Sequence, residues 1–126
     1  MLHAVVALAA AFSVPAWEPV WHGDYSIFGS CGSYTRPGYT YSGTLRIERT
    51  GDGDNYNLTW QTDRGTVTGS ATSLQGQLAI EFRRADGEAG LMIASFAPEG
   101  RMETRGAIRG SDYRCSERWS PVTQTP

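Results

Sequence analysis

The segment "HGDYSIFGSC" (His22–Cys31) sets apolar or small residues at every second position and ends in one of the chain's two cysteines. The other cysteine lies in "DYRCSERW" (Asp112–Trp119), near the far end. Both segments read as β-strands, because successive side chains of an extended chain point to opposite faces. In the first, Trp21, Gly23, Tyr25 and Ile27 share one side with Cys31; in the second, Tyr113, Cys115 and Trp119 share a side against Arg114, Ser116 and Arg118. Each thiol therefore sits on the inward parity of a strand, one at the start of the chain and one at its end.

Between them the chain keeps a period of two and is punctuated by turn residues; no window sustains the spacing of an amphipathic helix. The pattern predicts eight strands: Trp21 to Gly29, Tyr39 to Arg49, Tyr56 to Thr62, Thr66 to Ser73, Gln77 to Arg83, Gly90 to Phe96, Arg101 to Arg109 and Tyr113 to Trp119. Short clusters such as "GDGDN", "DRG", "LQG", "ADGE" and "GSD" are of the kind that close hairpins, so each strand pairs with the next. A meander that is apolar on one side only must split into two packed sheets or curl until its ends meet. The cysteines decide between these. A disulfide needs Cα atoms about 4.4 to 6.8 Å apart, the spacing of neighbouring antiparallel strands. The expected fold is all-β: a single eight-stranded antiparallel up-and-down barrel closed by a Cys31–Cys115 bridge between its first and last strands. Inward glycines at Gly43, Gly69 and Gly106 suit a strongly bent wall.

The 126 residues suffice for one domain. Residues 1–16, "MLHAVVALAAAFSVPA", are uncharged and end in small residues where signal peptidase cuts, so we read them as a secretory signal and 17–126 as the barrel. The formal net charge of −2 gives no electrostatic case for nucleic acid or an anionic membrane, and no stretch is long enough to span one. All eleven basic residues are Arg, which we associate with a GC-rich bacterial genome. A paired disulfide in an exported chain points to a periplasmic or secreted location.

Gly23–Asp24–Tyr25, the long first connection "SCGSYTRPG", the eight-strand meander and an Arg in the last strand (Arg114 or Arg118) resemble the calycin group, which includes the lipocalins; Tyr25 stands where that group carries Trp. The segments "GDYSIFG", "YSGTLRIERTGDGDNYNLTW", "LQGQLAIEF" and "GLMIASFAPEGRMETRG" resemble short exported bacterial proteins of unclear role, some labelled fibronectin-binding. The resemblance implies a lipocalin-like secreted barrel more than it implies an activity. Exported inhibitors of hydrolases are similar in size and form.

The residue inventory argues against an enzyme. With the signal removed His22 is the only histidine, the cysteines bond to each other, and Glu48, Glu81 and Glu103 lie on outward faces beside Arg. No metal set and no cofactor are implied: "DGDNYNLTWQTD" matches a calcium loop at Asp52 and Asp54 only. Glu117 has inward parity, as a rim residue or as the partner of Arg49. What remains is an inward aromatic set, Tyr25, Tyr41, Tyr56, Trp60, Phe82 and Trp119, fit to pack a core or to hold a small apolar or aromatic ligand in the lumen. The alternative is a protein-binding module, recognising a host protein or a secreted hydrolase through Tyr34, Arg36 and Tyr39 of the first loop or the Arg face of Arg101, Arg105 and Arg109.

Overall fold

The computed structural model describes residues 20–51, 53–97 and 101–122; the expected signal segment lies outside them. Eight strands run in chain order: β1 Gly23–Gly32, β2 Tyr39–Arg49, β3 Asn55–Thr62, β4 Gly65–Leu74, β5 Gln77–Arg84, β6 Ala89–Phe96, β7 Met102–Ile108 and β8 Arg114–Pro121. Each is antiparallel to the next, and β8 returns to β1, giving a closed up-and-down barrel without a free edge.

Closure is held twice. Backbone pairing runs from Tyr25 opposite Pro121 to Gly32 opposite Arg114, and Cys31 stands directly across from Cys115. The two are disulfide-bonded with Cα atoms 4.1 Å apart, linking residues 84 positions apart in sequence. In the chain-entropy view a loop of that length gives about 4 to 5 kcal/mol by restricting the unfolded chain. The bridge is compatible with an oxidising compartment.

The strand parities read from sequence hold for the core. Tyr25, Ile27, Leu45, Ile47, Tyr56, Leu58, Leu78, Ile80 and Trp119 are all buried inside. The outer wall is less uniformly polar than the alternation suggests, since Phe28, Leu91 and Ile93 point outward and are half exposed. Trp21 lies just ahead of β1 rather than within it and is fully buried. Its carbonyl accepts the Tyr25 hydroxyl at 2.6 Å and its ring packs on Phe96 with centroids 5.2 Å apart. It plugs the end of the barrel that carries the β2–β3, β4–β5 and β6–β7 turns. At that end the Gln75–Gly76 turn has positive φ at both residues, 52° and 79°, the primed geometry that matches strand twist.

The opposite end is built from the β1–β2, β3–β4, β5–β6 and β7–β8 connections. The long β1–β2 loop is tied to the β7–β8 loop by Asp112, whose carboxylate accepts bonds from the Ser33 hydroxyl at 2.6 Å, the Tyr34 amide at 3.0 Å and the Thr35 hydroxyl at 3.2 Å. These bonds, the Ser33 one foremost, hold the Asp112 carboxyl below its ordinary value.

Removing the bridge with Cys31→Ala plus Cys115→Ala is expected to lower unfolding stability by about 2 to 5 kcal/mol while the far-UV circular dichroism stays that of a β-barrel. Denaturant melts of oxidised, reduced and double-mutant protein check this; coincident midpoints would show that the ladder alone fixes the closure.

Candidate functional site

Inward glycines let aromatic rings lie against the wall of the upper barrel. A methyl group at Gly29 would come within 2.3 Å of the Tyr41 ring, one at Gly69 within 3.0 Å of Trp60, and one at Gly90 within 2.5 Å of Phe82. Gly29 is the direct cross-strand partner of Tyr41, and Phe82 is flanked by Gly69 on β4 and Gly90 on β6. Large rings beside missing side chains stay flat on the sheet and leave the axis open.

The result is a cavity of about 300 Å³ at the end opposite Trp21, lined by Tyr39, Tyr41, Trp60, Val67, Phe82 and Met92, with Thr62, Arg64, Arg84 and Asp86 at its mouth and Glu117 on its inner wall. That volume is at the lower end of small-molecule pockets. The β3–β4 turn places Arg64: the Thr62 hydroxyl accepts the Arg64 amide at 3.1 Å and donates to the Gly65 carbonyl at 2.9 Å. The Arg64 guanidinium stacks 3.9 Å above the Tyr39 ring. Arg84 donates to the Tyr39 hydroxyl at 3.2 Å and pairs with Glu88 at 3.0 Å. Tyr39 also meets Tyr113 edge-on at 5.6 Å, and Arg36 covers Tyr113 at 4.5 Å. The mouth is thus an alternation of guanidinium and phenol rings, a cation–π arrangement.

Glu117 is the least expected element. It is neither at the rim nor paired with Arg49, which is exposed at the end of β2. Placed at mid-height of β8, opposite Gly29 on one side and Thr104 on the other, it is only 6% exposed. Its Oε1 accepts the indole N–H of Trp60 at 3.0 Å and of Trp119 at 2.8 Å, and its Oε2 accepts the Tyr41 hydroxyl. The Glu117 amide donates to the Thr104 hydroxyl at 2.9 Å. Indole N–H groups can only donate, so the carboxylate serves as the common acceptor for three rings from β2, β3 and β8. Burial, then the negative charge of Glu117 and the bond to it, push the Tyr41 phenol far above its ordinary value. Tyr41 is therefore a fixed donor.

The six residues assigned to a ligand from sequence divide by height. Tyr41, Trp60 and Phe82 line the cavity; Tyr25, Tyr56 and Trp119 are buried in the plugged half, where Tyr25 and Trp119 pack at 5.7 Å. Tyr39, assigned to the protein-binding alternative, lines the cavity instead. Of the rest of that set, Tyr34 is 97% exposed, Arg36 sits on Tyr113, and Arg101, Arg105 and Arg109 are spread along β7 from one end of the barrel to the other. Arg64, Val67, Arg84 and Met92 are site residues that the sequence pattern does not single out. Arg114 and Arg118 are exposed on the outer wall, as their parity in the last strand predicts.

Two outcomes are expected. Gly29→Ala forces the Tyr41 ring off the wall and should cost about 1 to 3 kcal/mol by overpacking, seen as a lower denaturation midpoint; an unchanged midpoint would contradict the close approach. Burial raises the Tyr25 phenol to about 12 and Tyr41 further, so the folded state holds their protons more tightly than the unfolded chain. The stability they contribute is complete below about pH 10 and lost as pH climbs above it. Phenolate absorbance from these two should appear together with loss of near-UV circular dichroism, not before it.

No protein-family model and no curated relative matches the chain. Solved structures do. A redesigned β-barrel, mFAP1, bound to DFHBI, superposes with a TM-score of 0.63 at 10% identity, covering 79% of this chain and 93% of its own. A de novo designed fluorescence-activating β-barrel gives a TM-score of 0.59 at 15% identity, covering 81% of this chain and 94% of its own. At such identities the likeness is one of fold: an eight-stranded antiparallel barrel.

Proposed function

We propose that this is a non-catalytic binding protein that holds one small apolar or aromatic molecule in the upper half of its barrel. The observation that carries the reading is the cavity of about 300 Å³ walled by Tyr41, Trp60, Phe82 and Met92 and open at one end. A barrel evolved only for stability has no reason to keep space there, since a void forfeits packing contacts. Trp21 seals the other end. The fold accommodates such a ligand, because the mFAP1 barrel holds DFHBI.

Several features support the non-catalytic reading. The cysteines are bonded, and His22 is exposed ahead of β1 at the plugged end. The Tyr41 hydroxyl is engaged by the buried Glu117 carboxylate, and burial pushes its phenol far above the ordinary value, so Tyr41 is a poor proton donor near neutral pH. Among the described residues no helix is long and apolar enough to cross a membrane. Export to a periplasmic or extracellular space accords with the disulfide.

A second reading has one specific observation behind it. Tyr34 is almost wholly exposed on a loop braced by Asp112, a rigid aromatic anchor of the kind protein interfaces use.

Native mass spectrometry of protein purified from its own host should show a bound small molecule. Val67→Trp, which fills the cavity from β4, should abolish that adduct while the barrel stays folded. A wild-type protein with no adduct, unmoved by a screen of aromatic compounds, would overturn the lumen reading.

A further inference from the structure

At the mouth Arg84 has a counter-charge in Glu88, whereas the carboxylate inside the barrel has none among the described residues. Arg84 is half-buried and paired with Glu88 at 3.0 Å, and Arg64 and Asp86 are exposed beside it; the Arg84 charge reaches Tyr41, but it carries its own counter-charge. Glu117 is buried. Its three partners, Trp60, Trp119 and Tyr41, supply hydrogens but no charge, and among the described residues no cation lies within ion-pairing distance of it. A buried carboxylate without a counter-charge is costly even when hydrogen-bonded.

The acceptor capacity on the inner wall is also incomplete. An ionised carboxylate offers about four lone-pair sites. Two N–H groups occupy Oε1, whereas Oε2 has received only the Tyr41 hydroxyl. The Tyr41 oxygen, its hydrogen committed to Glu117, can itself accept. Both atoms belong to cavity-lining residues, and the surrounding walls are the aromatic rings of Trp60 and Phe82, whose π-faces attract cations. What is missing from this wall is a positively charged donor.

We infer that the lumen selects a small aromatic amine, its ammonium seated against Glu117 Oε2 and Tyr41 Oη and its ring among Trp60, Phe82 and Met92. The inference rests on the lumen-binding reading and adds the chemical class of the ligand. A neutral isostere loses the charge-assisted bond, and an anion meets the carboxylate head-on.

The test compares three molecules of nearly one shape, naphthylmethylamine, naphthalenemethanol and naphthoate, by isothermal titration calorimetry against the wild-type protein and Glu117→Gln. The wild type should bind the amine at least about tenfold more tightly than the alcohol, as a hydrogen bond to a charged group warrants, and naphthoate weakest. In Glu117→Gln the amine preference should fall to near unity, with circular dichroism reporting whether the barrel is retained. If that variant does not fold, the amine-to-alcohol ratio in the wild type decides alone. Equal affinity for amine and alcohol, a preference for naphthoate, or an amine preference that survives in folded Glu117→Gln would each overturn the inference while leaving the lumen reading intact. Binding of none of the three at millimolar concentration would instead remove the lumen reading, and the inference with it.

Discussion

The pairing of β8 with β1 is the constraint from which everything else follows. Without it the meander is an open sheet whose buried face has nothing to cover it and whose end strands expose unpaired backbone. With it, Cys31 meets Cys115, and the same register brings Gly29 opposite Glu117. Because Gly29 has no side chain, the Tyr41 ring from the next strand can cross over it and reach the carboxylate. The closure of the barrel and the assembly of its inner polar cluster are one event. A slip of one residue would turn Glu117 outward and destroy both.

That cluster divides the interior into two halves with different roles. In the plugged half, Trp21, Tyr25, Tyr56 and Trp119 fill the space with aliphatic residues from the facing strands. In the open half, rings lie flat beside glycines and the axis is vacant. Glu117 marks the boundary, and its bonds explain how Trp60 keeps one orientation beside empty space. Bonds to a charged acceptor contribute about 1.5 to 3 kcal/mol each, and a donor left unpaired in such a site costs about as much. Three donors converging on one carboxylate therefore fix ring geometry more firmly than apolar packing could, which is what a preformed pocket requires.

Much of this is legible in the sequence because a barrel strand has one simple rule, alternation, and because two cysteines report the contact that alternation cannot. The eight strands and the inward placement of Tyr25, Tyr41, Trp60 and Phe82 follow from parity, and the contact between first and last strands follows from the pairing of Cys31 with Cys115. What parity does not carry is height along the axis. Glu117 and Arg49 have the same parity, yet Arg49 ends β2 at the plugged end while Glu117 is central in β8. Arg84 shares parity with Phe82 but lies one residue beyond the strand end expected at Arg83, so the pattern passes over it. Tyr39 opens β2 as the predicted strand has it and shares parity with Tyr41, so that parity, rather than its nearness to the first loop, gives its place at the cavity. Arg64 sits in a turn, where alternation says nothing; the Thr62 hydroxyl that places it acts through the local backbone. Trp21 precedes β1, and only tertiary packing reveals it as the plug.

A ligand that enters the open half meets the cluster around Glu117. The indole N–H resonances of a nitrogen-15 labelled sample report on this directly, because Trp60 and Trp119 donate to Glu117 while Trp21 lies at the far end. Titration with a small aromatic compound retained from the host, or with one found by screening, should shift the Trp60 indole signal most, the Trp119 signal less, and leave Trp21 in place. Saturation binding that moves Trp21 or only surface residues, with Trp60 unchanged, would contradict the account.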